Sequence, residues 1–230
     1  MNPPDGQPPV DADRDDGPQL HQGWIAPEVA EEFPALALIE CELPLPGDRR
    51  SPRGVRDQLA ALSDRHRGAT ALALRREPVA GAYRIFFRHI GLEPDVTRTP
   101  IEAAVLERLL RGGFISRGLL EDALLLAVVH TSVPVWALDA RSRDGRLGIR
   151  PARAGERLGR AAGAPPLAAG RLVVADQSAP LAVLFGALGP ECEVRRDTAT
   201  VTLFSVQVAG VPFIHVDEAL WVATSTIAPH

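Results

Sequence analysis

The sequence has no long hydrophobic run, only two cysteines and no lysine. The first two of these absences exclude classes of protein. The longest uncharged stretch, Ala123–Leu138, is interrupted by a histidine, a threonine, a serine and a proline. No segment therefore reaches the roughly 18 apolar residues that a membrane helix needs, and a transmembrane protein is excluded. Met1–Gly23 is acidic and rich in proline, without the basic start and apolar stretch of a secretory signal. We expect a cytoplasmic protein.

The two cysteines, Cys41 and Cys192, are too few for a disulfide framework in a chain of 230 residues. Neither has a second cysteine or a histidine at metal-ligand spacing, so we expect two buried apolar side chains. His215 and Glu218 are close in sequence but make too few ligands for a metal site. We expect neither a metal nor another cofactor.

The charge balance is 25 basic against 29 acidic residues, a net charge of −4. Strong nonspecific nucleic-acid binding usually shows a basic excess, which is absent here, and we expect neither DNA nor a membrane as partner. Most of the uncompensated acid lies in the first 48 residues. All basic residues are arginines, which reflects either a GC-rich genome or selection for bidentate phosphate contacts.

Proline, glycine and hydrophobic periodicity divide the chain into two regions. Residues 1–20 are expected to be a disordered acidic tail, because they cannot bury enough apolar surface to fold. Residues 21–230 are expected to form one α+β domain. Its helices fall mainly in the N-terminal half and pack on a mixed, largely antiparallel sheet system from the C-terminal half.

The expected helices are bounded by capping and breaker residues. Thr99, Pro100 and Glu102 predict a capping box at one helix start, and that helix ends before Gly112. The predicted helices span residues 27–33, 55–67, 84–90, 100–111, 119–130 and 218–227. The predicted strands span residues 35–43, 135–138, 147–150, 171–175, 181–185, 200–208 and 211–216.

Several blocks of this sequence are similar to freestanding proteins of the B3/B4 domain family. They are AYRIFFRHIGLEPDVTRTPIEAAVLERLLRGG at Ala82–Gly113, GLLEDALLLAVVHTSVPVWALDA at Gly118–Ala140, LVVADQSAPLAVLFGALG at Leu172–Gly189 and DTATVTLFSV at Asp197–Val206. GVPFIHVDEALW closes the match, which covers roughly residues 24–227. The family is named after two modules of the phenylalanyl-tRNA synthetase β chain, where they contribute a site that hydrolyses tyrosine misattached to the phenylalanine tRNA.

The resemblance implies a tRNA-binding protein and a trans-editing aminoacyl-tRNA deacylase, with tRNA or aminoacyl-tRNA as partner. It also aligns a histidine of the synthetase with Trp136, and the glutamate that selects tyrosine with Phe204 or Ser205. A pocket with Trp136 and Phe204 is expected to be more apolar than that of the synthetase.

Site residues follow from the resemblance together with the chemistry of ester hydrolysis. Asp139 and Asp122 are the candidate catalytic carboxylates, with Trp136, Gly186, Phe204 and Glu102 as candidate substrate contacts. The candidate RNA contacts are Arg84, Arg88 and Arg98, of which the first two share a helix face.

Each of these residues also has a structural interpretation. The two aspartates can bind backbone amides at the ends of elements, Glu102 can complete the capping box, and the arginines can pair with nearby glutamates. His130 is interpreted as a core or helix-end histidine. Two alternative functions stay open beside the deacylase: a noncatalytic tRNA-binding module, and a binder of a free amino acid or a related metabolite.

Overall fold

The structure is a computed structural model that describes residues 18–68 and 73–228. The predicted disorder of residues 1–20 therefore lies, except for residues 18–20, outside the described residues. Six helices and eight strands are found in the described ranges. The helices are α1 Pro27–Glu32, α2 Arg53–Arg65, α3 Pro78–His89, α4 Pro100–Arg111, α5 Leu119–Thr131 and α6 Phe213–Ile227. The strands are β1 His21–Gln22, β2 Trp24–Ile25, β3 Ala37–Pro44, β4 Val135–Asp139, β5 Gly148–Pro151, β6 Leu172–Ala175, β7 Pro180–Val183 and β8 Thr200–Gln207.

The strands form two four-stranded sheets. The first sheet has the order β1-β3-β8-β4 and is antiparallel throughout. The second sheet has the order β2-β5-β6-β7, with β2 parallel to β5 and the other pairs antiparallel. This architecture confirms the α+β class, with helices mostly in the N-terminal half and strands mostly in the C-terminal half.

The chain passes from the first sheet to the second at one residue, Gly23, which separates β1 from β2. A side chain at this position would collide with the backbone of Leu147 and with Leu38, so only glycine allows the approach. Gly148 in β5 makes room within the second sheet, because the indole ring of Trp24 on the paired strand β2 lies where its Cβ would be.

The helices begin and end where local chemistry requires. At the start of α4, the Thr99 and Glu102 side chains form the predicted capping box, and Gly112 ends the helix with a φ of +78°. Helix α5 is buried on most of its circumference, as its apolar sequence predicts. It packs against α6, α2 and α4, while α6 lies on β8 and β4.

Two apolar clusters hold these layers together. The larger one joins both sheets with α3, α5 and α6, and the smaller one fills the space between α2, α4 and α5. Both cysteines are buried in the larger cluster without a disulfide. Burial raises the pKa of the Cys41 thiol to about 12, which keeps it protonated and unreactive.

One predicted element is wrong. Residues 211–216 were expected to form a strand because apolar residues dominate them, but α6 begins at Phe213, with Pro212 before its first turn. The helical period extends further toward the N-terminus than expected: Val216, Ala219 and Ala223 are buried along one stripe. His215 therefore lies on a helix, where its Nδ1 is 3.9 Å from Glu218 Oε2.

For other elements the structure moves the predicted boundary but keeps the predicted type, helix or strand. Helix α3 starts at Pro78, six residues before the predicted start, because Pro78 occupies its first turn. No helix among the described residues is long and apolar enough to cross a membrane.

Candidate functional site

The expected substrate pocket around Trp136 is filled by aromatic rings. Trp136 in β4 lies directly opposite Phe204 in β8, and their rings stack with centroids 5.5 Å apart. Phe185 approaches Trp136 edge-on at 5.3 Å. Such contacts stabilise by about 1 kcal/mol each beyond the buried area. The three rings therefore cover one another's surfaces.

Phe185 connects this stack to α3. Its ring lies 4.9 Å from that of Phe87 and also contacts Tyr83 and Phe86. To reach this position Phe185 adopts a left-handed φ of +58°, which is costly for a side chain with a Cβ. Gly186 follows it in the turn, and a Cβ there would press on Val183. This turn therefore places the Phe185 ring between Trp136 and α3.

Asp139 ends β4 and is 6% exposed. Its Oδ1 accepts hydrogen bonds from the backbone N–H of Arg141 and from Arg141 Nε, at 2.9 and 3.2 Å. Its Oδ2 accepts from Arg141 Nη2 at 2.9 Å and from the Thr198 hydroxyl at 2.7 Å. The bidentate pair with Arg141 lowers the pKa of Asp139 to about 2.

A pocket opens beside Asp139, which we call the Asp139 pocket. It has a volume of about 540 Å³. Four arginines and five carboxylates line it with Ser142: Asp139, Arg141, Arg143, Asp144, Arg160, Glu191, Glu193, Arg195 and Asp197. The Arg141 side chain remains 61% exposed although its guanidinium binds Asp139. The pocket thus offers charges of both signs to a ligand.

One carboxylate oxygen of this pocket has no partner. Glu191 Oε1 accepts a hydrogen bond from the backbone N–H of Arg160, whereas Glu191 Oε2 is buried and has no hydrogen-bond partner among the described residues. An unpaired buried carboxylate oxygen is unfavourable and would be stabilised by a donor such as an ammonium group.

Trp136 and Asp139 do not share a cavity. Side chains of a strand alternate between its two faces, and these residues are an odd number of positions apart in β4. The pairing agrees: Trp136 lies opposite Phe204, whereas Asp139 lies opposite Val201. The sheet therefore separates the aromatic stack from the Asp139 pocket.

Asp122, the second candidate carboxylate, lies near the start of α5 and is 1% exposed. Its Oδ2 accepts hydrogen bonds from the hydroxyls of Ser51 and Ser116, both at 2.5 Å. Its Oδ1 accepts from the backbone N–H of Arg117 at 2.9 Å. Asp122 thus connects two loops to the helix.

Glu102 and Arg84 form a buried ion pair. Arg84 Nη1 lies 2.5 Å from Glu102 Oε1, and Arg84 Nη2 lies 3.0 Å from Asp95 Oδ1. Glu102 Oε2 also accepts from the Thr99 hydroxyl at 3.0 Å in the capping box. Both side chains are thereby engaged within the fold.

The other two predicted RNA contacts, Arg88 and Arg98, are exposed. Arg88 lies in the last turn of α3, and Arg98 lies in the loop before α4, where it lines a shallow cleft with Val96 and Leu110. Of the three predicted RNA contacts, Arg88 and Arg98 are thus at the surface, whereas Arg84 is buried in its ion pair with Glu102.

A larger groove lies elsewhere, between α2, the loop at residues 46–52 and the end of α6. We call it the Trp221 groove, and its volume is about 1000 Å³. Its lining includes Val55, Leu62, His130 and Trp221. Burial and the nearby Arg65 lower the pKa of His130, so this imidazole is neutral at physiological pH.

Comparisons with known proteins add no relative to this description: no protein-family model matches the chain, and no curated protein matches its sequence.

Sequence reasoning identified Asp139 but missed the residues that surround it. Arg141, Arg160 and Arg195 come from three separate loops, so no local motif links them. The strand predicted over residues 181–185 ends at Val183, so Phe185 lies in the turn that follows. Trp221 lies on the predicted closing helix, but its sequence context does not mark it as a groove residue. The RSRDGR stretch at residues 141–146 was a usable signal, because it places three arginines directly after a predicted strand end.

Proposed function

We propose that this protein binds the aminoacylated 3′ end of tRNA in the Asp139 pocket, without hydrolysing the ester. The observation that carries the proposal is the mixed charge of this pocket, with four arginines and five carboxylates around about 540 Å³. An aminoacylated tRNA end presents an α-ammonium group close to backbone phosphates. Carboxylates suit the ammonium group, and arginines suit the phosphates.

The unpaired Glu191 Oε2 supports a cationic group in this ligand. Glu191 belongs to the pocket lining, and once its side chain turns toward the pocket an ammonium group would supply the donor that Oε2 lacks. The exposed guanidinium of Arg141, fixed at one side by Asp139, supports an anionic group beside it. A guanidinium held in place loses less conformational entropy when it binds phosphate.

The hydrogen bonding of the two candidate carboxylates favours binding over hydrolysis. Both oxygens of Asp139 already accept two hydrogen bonds each, and its pKa of about 2 makes it a weak base at neutral pH. Asp122 is buried and accepts from three donors. Neither is placed to activate a water molecule.

A trans-editing deacylase is the second candidate function. One observation favours it: Glu193 and Asp144 are exposed carboxylates that line the same pocket as Arg141. Either of them is free to move toward a water molecule beside a bound ester, with an arginine as donor for the oxyanion.

The overall charge predicts how strongly such binding depends on salt. Arg14 and five aspartates lie in residues 1–17, so the described residues carry 24 arginines and 24 carboxylates and have no net charge. Affinity must then come from local contacts. Arg143 and Arg160 already pair with Glu42 and Asp176, so Arg141 and Arg195 are the pocket arginines best placed to meet phosphates. If both do so, the logarithm of the binding constant falls with the logarithm of salt concentration with a slope of about −1.5.

The test measures fluorescence anisotropy with labelled tRNA that carries an amide-linked amino acid at its 3′ end, beside the same tRNA without it. We expect at least tenfold tighter binding of the aminoacylated form. Glu191→Gln should remove most of this preference, because it removes the charge that suits the ammonium group, and Arg195→Gln should weaken the binding of both tRNAs. Arg67→Gln, at an exposed arginine just after α2, should do neither. Equal affinity for the two tRNAs would refute the proposal.

Two further arms separate the alternatives. Competition by free amino acids without any effect of tRNA would identify a small-molecule binder, since a zwitterion also fits the pocket. Release of amino acid from ester-linked tRNA above the buffer rate would establish the deacylase in place of the binding module.

A further inference from the structure

We propose that residues 1–17 of this chain dock in the Trp221 groove, with their prolines against Trp221 and their aspartates beside α2. The groove is built from described residues only. The docking is independent of the tRNA end bound in the Asp139 pocket.

The groove has the surface of a docking site. Its floor is apolar where Val55, Leu62 and Val222 face one another. Trp221 borders this floor with 66% of its surface exposed, on a helix whose other face is buried. A large exposed aromatic next to an apolar groove indicates an interaction surface rather than a solvated side chain.

The backbone directs the N-terminal segment toward this groove. Strand β1 runs antiparallel to β3, with His21 opposite Glu40 and Gln22 opposite Ile39. The chain before His21 therefore runs toward the carboxyl end of β3, and Leu20 packs against the core on the way. Pro46, just beyond that end, already lines the groove.

The segment is also long enough. From Leu43, near the end of β3, to Pro46 in the groove lining is three residues, which is about 10 Å of extended chain. A segment of seventeen residues reaches about 50 Å if each residue adds 3.1 Å, the rise of a polyproline helix. The reach exceeds the gap several times over.

The composition of the segment matches the groove. Residues 1–17 contain two Pro-Pro pairs, Pro3-Pro4 and Pro8-Pro9, and proline-rich segments bind in aromatic-lined grooves. The segment also carries five aspartates and one arginine. Residues 48–67, which include α2 and the loop before it, carry six arginines and three aspartates. The two segments therefore have opposite net charge.

Arg50 and Arg65 are the groove arginines best suited to pair with these aspartates. Both line the groove, and among the described residues neither guanidinium forms an ion pair, although Asp48 and Glu218 lie in the same lining. A docked acidic segment would supply the missing partners.

The experiment is paramagnetic relaxation in the full chain. Val10→Cys carries a nitroxide label, and the two native cysteines are buried and will not compete for it. The three indole N–H signals, from Trp24, Trp136 and Trp221, report proximity to the label. We expect the Trp221 signal to lose at least half its intensity relative to the reduced label, while Trp24 and Trp136 lose much less.

The outcome without docking is distinct. An undocked segment would affect Trp24 most, because Trp24 is nearest to the label along the chain; that result would overturn the proposal. The double variant Arg50→Glu and Arg65→Glu should restore the Trp221 signal at least twofold. The matched control Arg171→Glu, an exposed arginine outside the groove, should leave it unchanged; equal effects of the two would also overturn the proposal.

Discussion

Replacing Asp139 by asparagine should destabilise the protein in a pH-dependent way. The carboxylate is buried and pairs with Arg141 and Thr198, which lowers its pKa from 3.8 to about 2. A shift of this size corresponds to about 2 kcal/mol of folding free energy at neutral pH, at 1.36 kcal/mol per pKa unit. We therefore expect Asp139→Asn to lower the free energy of unfolding by about 2 kcal/mol at pH 7.

The sign of the pH dependence follows from the lowered pKa. A carboxyl group whose pKa is lower in the folded state stabilises the fold above its unfolded pKa, and this contribution is lost as the pH falls through its folded pKa. The difference between the wild-type protein and Asp139→Asn should therefore be full above about pH 5 and shrink to about half near pH 3.

The assay is urea unfolding at pH 7, 5 and 3, followed by far-ultraviolet circular dichroism. Asp197→Asn is the matched control, because Asp197 also approaches Arg141, at 3.5 Å, but is largely exposed. It should cost less than about 0.5 kcal/mol at each pH. A destabilisation by Asp139→Asn that stays constant from pH 7 to pH 3 would refute the electrostatic account.

Two further substitutions test the structural roles assigned above. Asp122→Ala leaves two hydroxyls and the Arg117 N–H without their acceptor and should lower the free energy of unfolding by about 3 kcal/mol. Its affinity for tRNA should be unchanged under native conditions. A variant that keeps full stability but loses tRNA binding would instead indicate a functional carboxylate. Gly148→Ala places a methyl group in the ring of Trp24 and should cost about 3 kcal/mol, with a shift of the tryptophan emission. An unchanged melting temperature would contradict the close approach of Trp24 in β2 to the backbone of β5.

Local signals in the sequence predicted most of the helices and strands. The capping box at Thr99 and the glycine at 112 fixed both ends of α4, because capping depends on residues within one turn. Helix α6 was predicted too short because VPFIHV has the composition of a strand, and only the buried stripe through Val216 and Ala219 decides between the two.

The candidate site was harder to predict than the fold. Asp139 was found because it ends a strand, but Arg160 and Arg195, which line its pocket, come from loops that are far from it in sequence. The expectation of a more apolar pocket with Trp136 and Phe204 did not anticipate Phe185, whose left-handed backbone brings its ring against Trp136. Such long-range side-chain placement is not encoded in periodicity.

Binding in the Asp139 pocket is tested most directly by a titration, followed by nuclear magnetic resonance, with a short RNA that ends in an amide-linked aminoacyl adenosine. We expect shifts at the side-chain Nε–H signals of Arg141 and Arg195, with the indole signals of Trp136 and Trp221 unmoved. Movement of the indole signals with unchanged arginines would place the ligand outside the Asp139 pocket and contradict the proposed function.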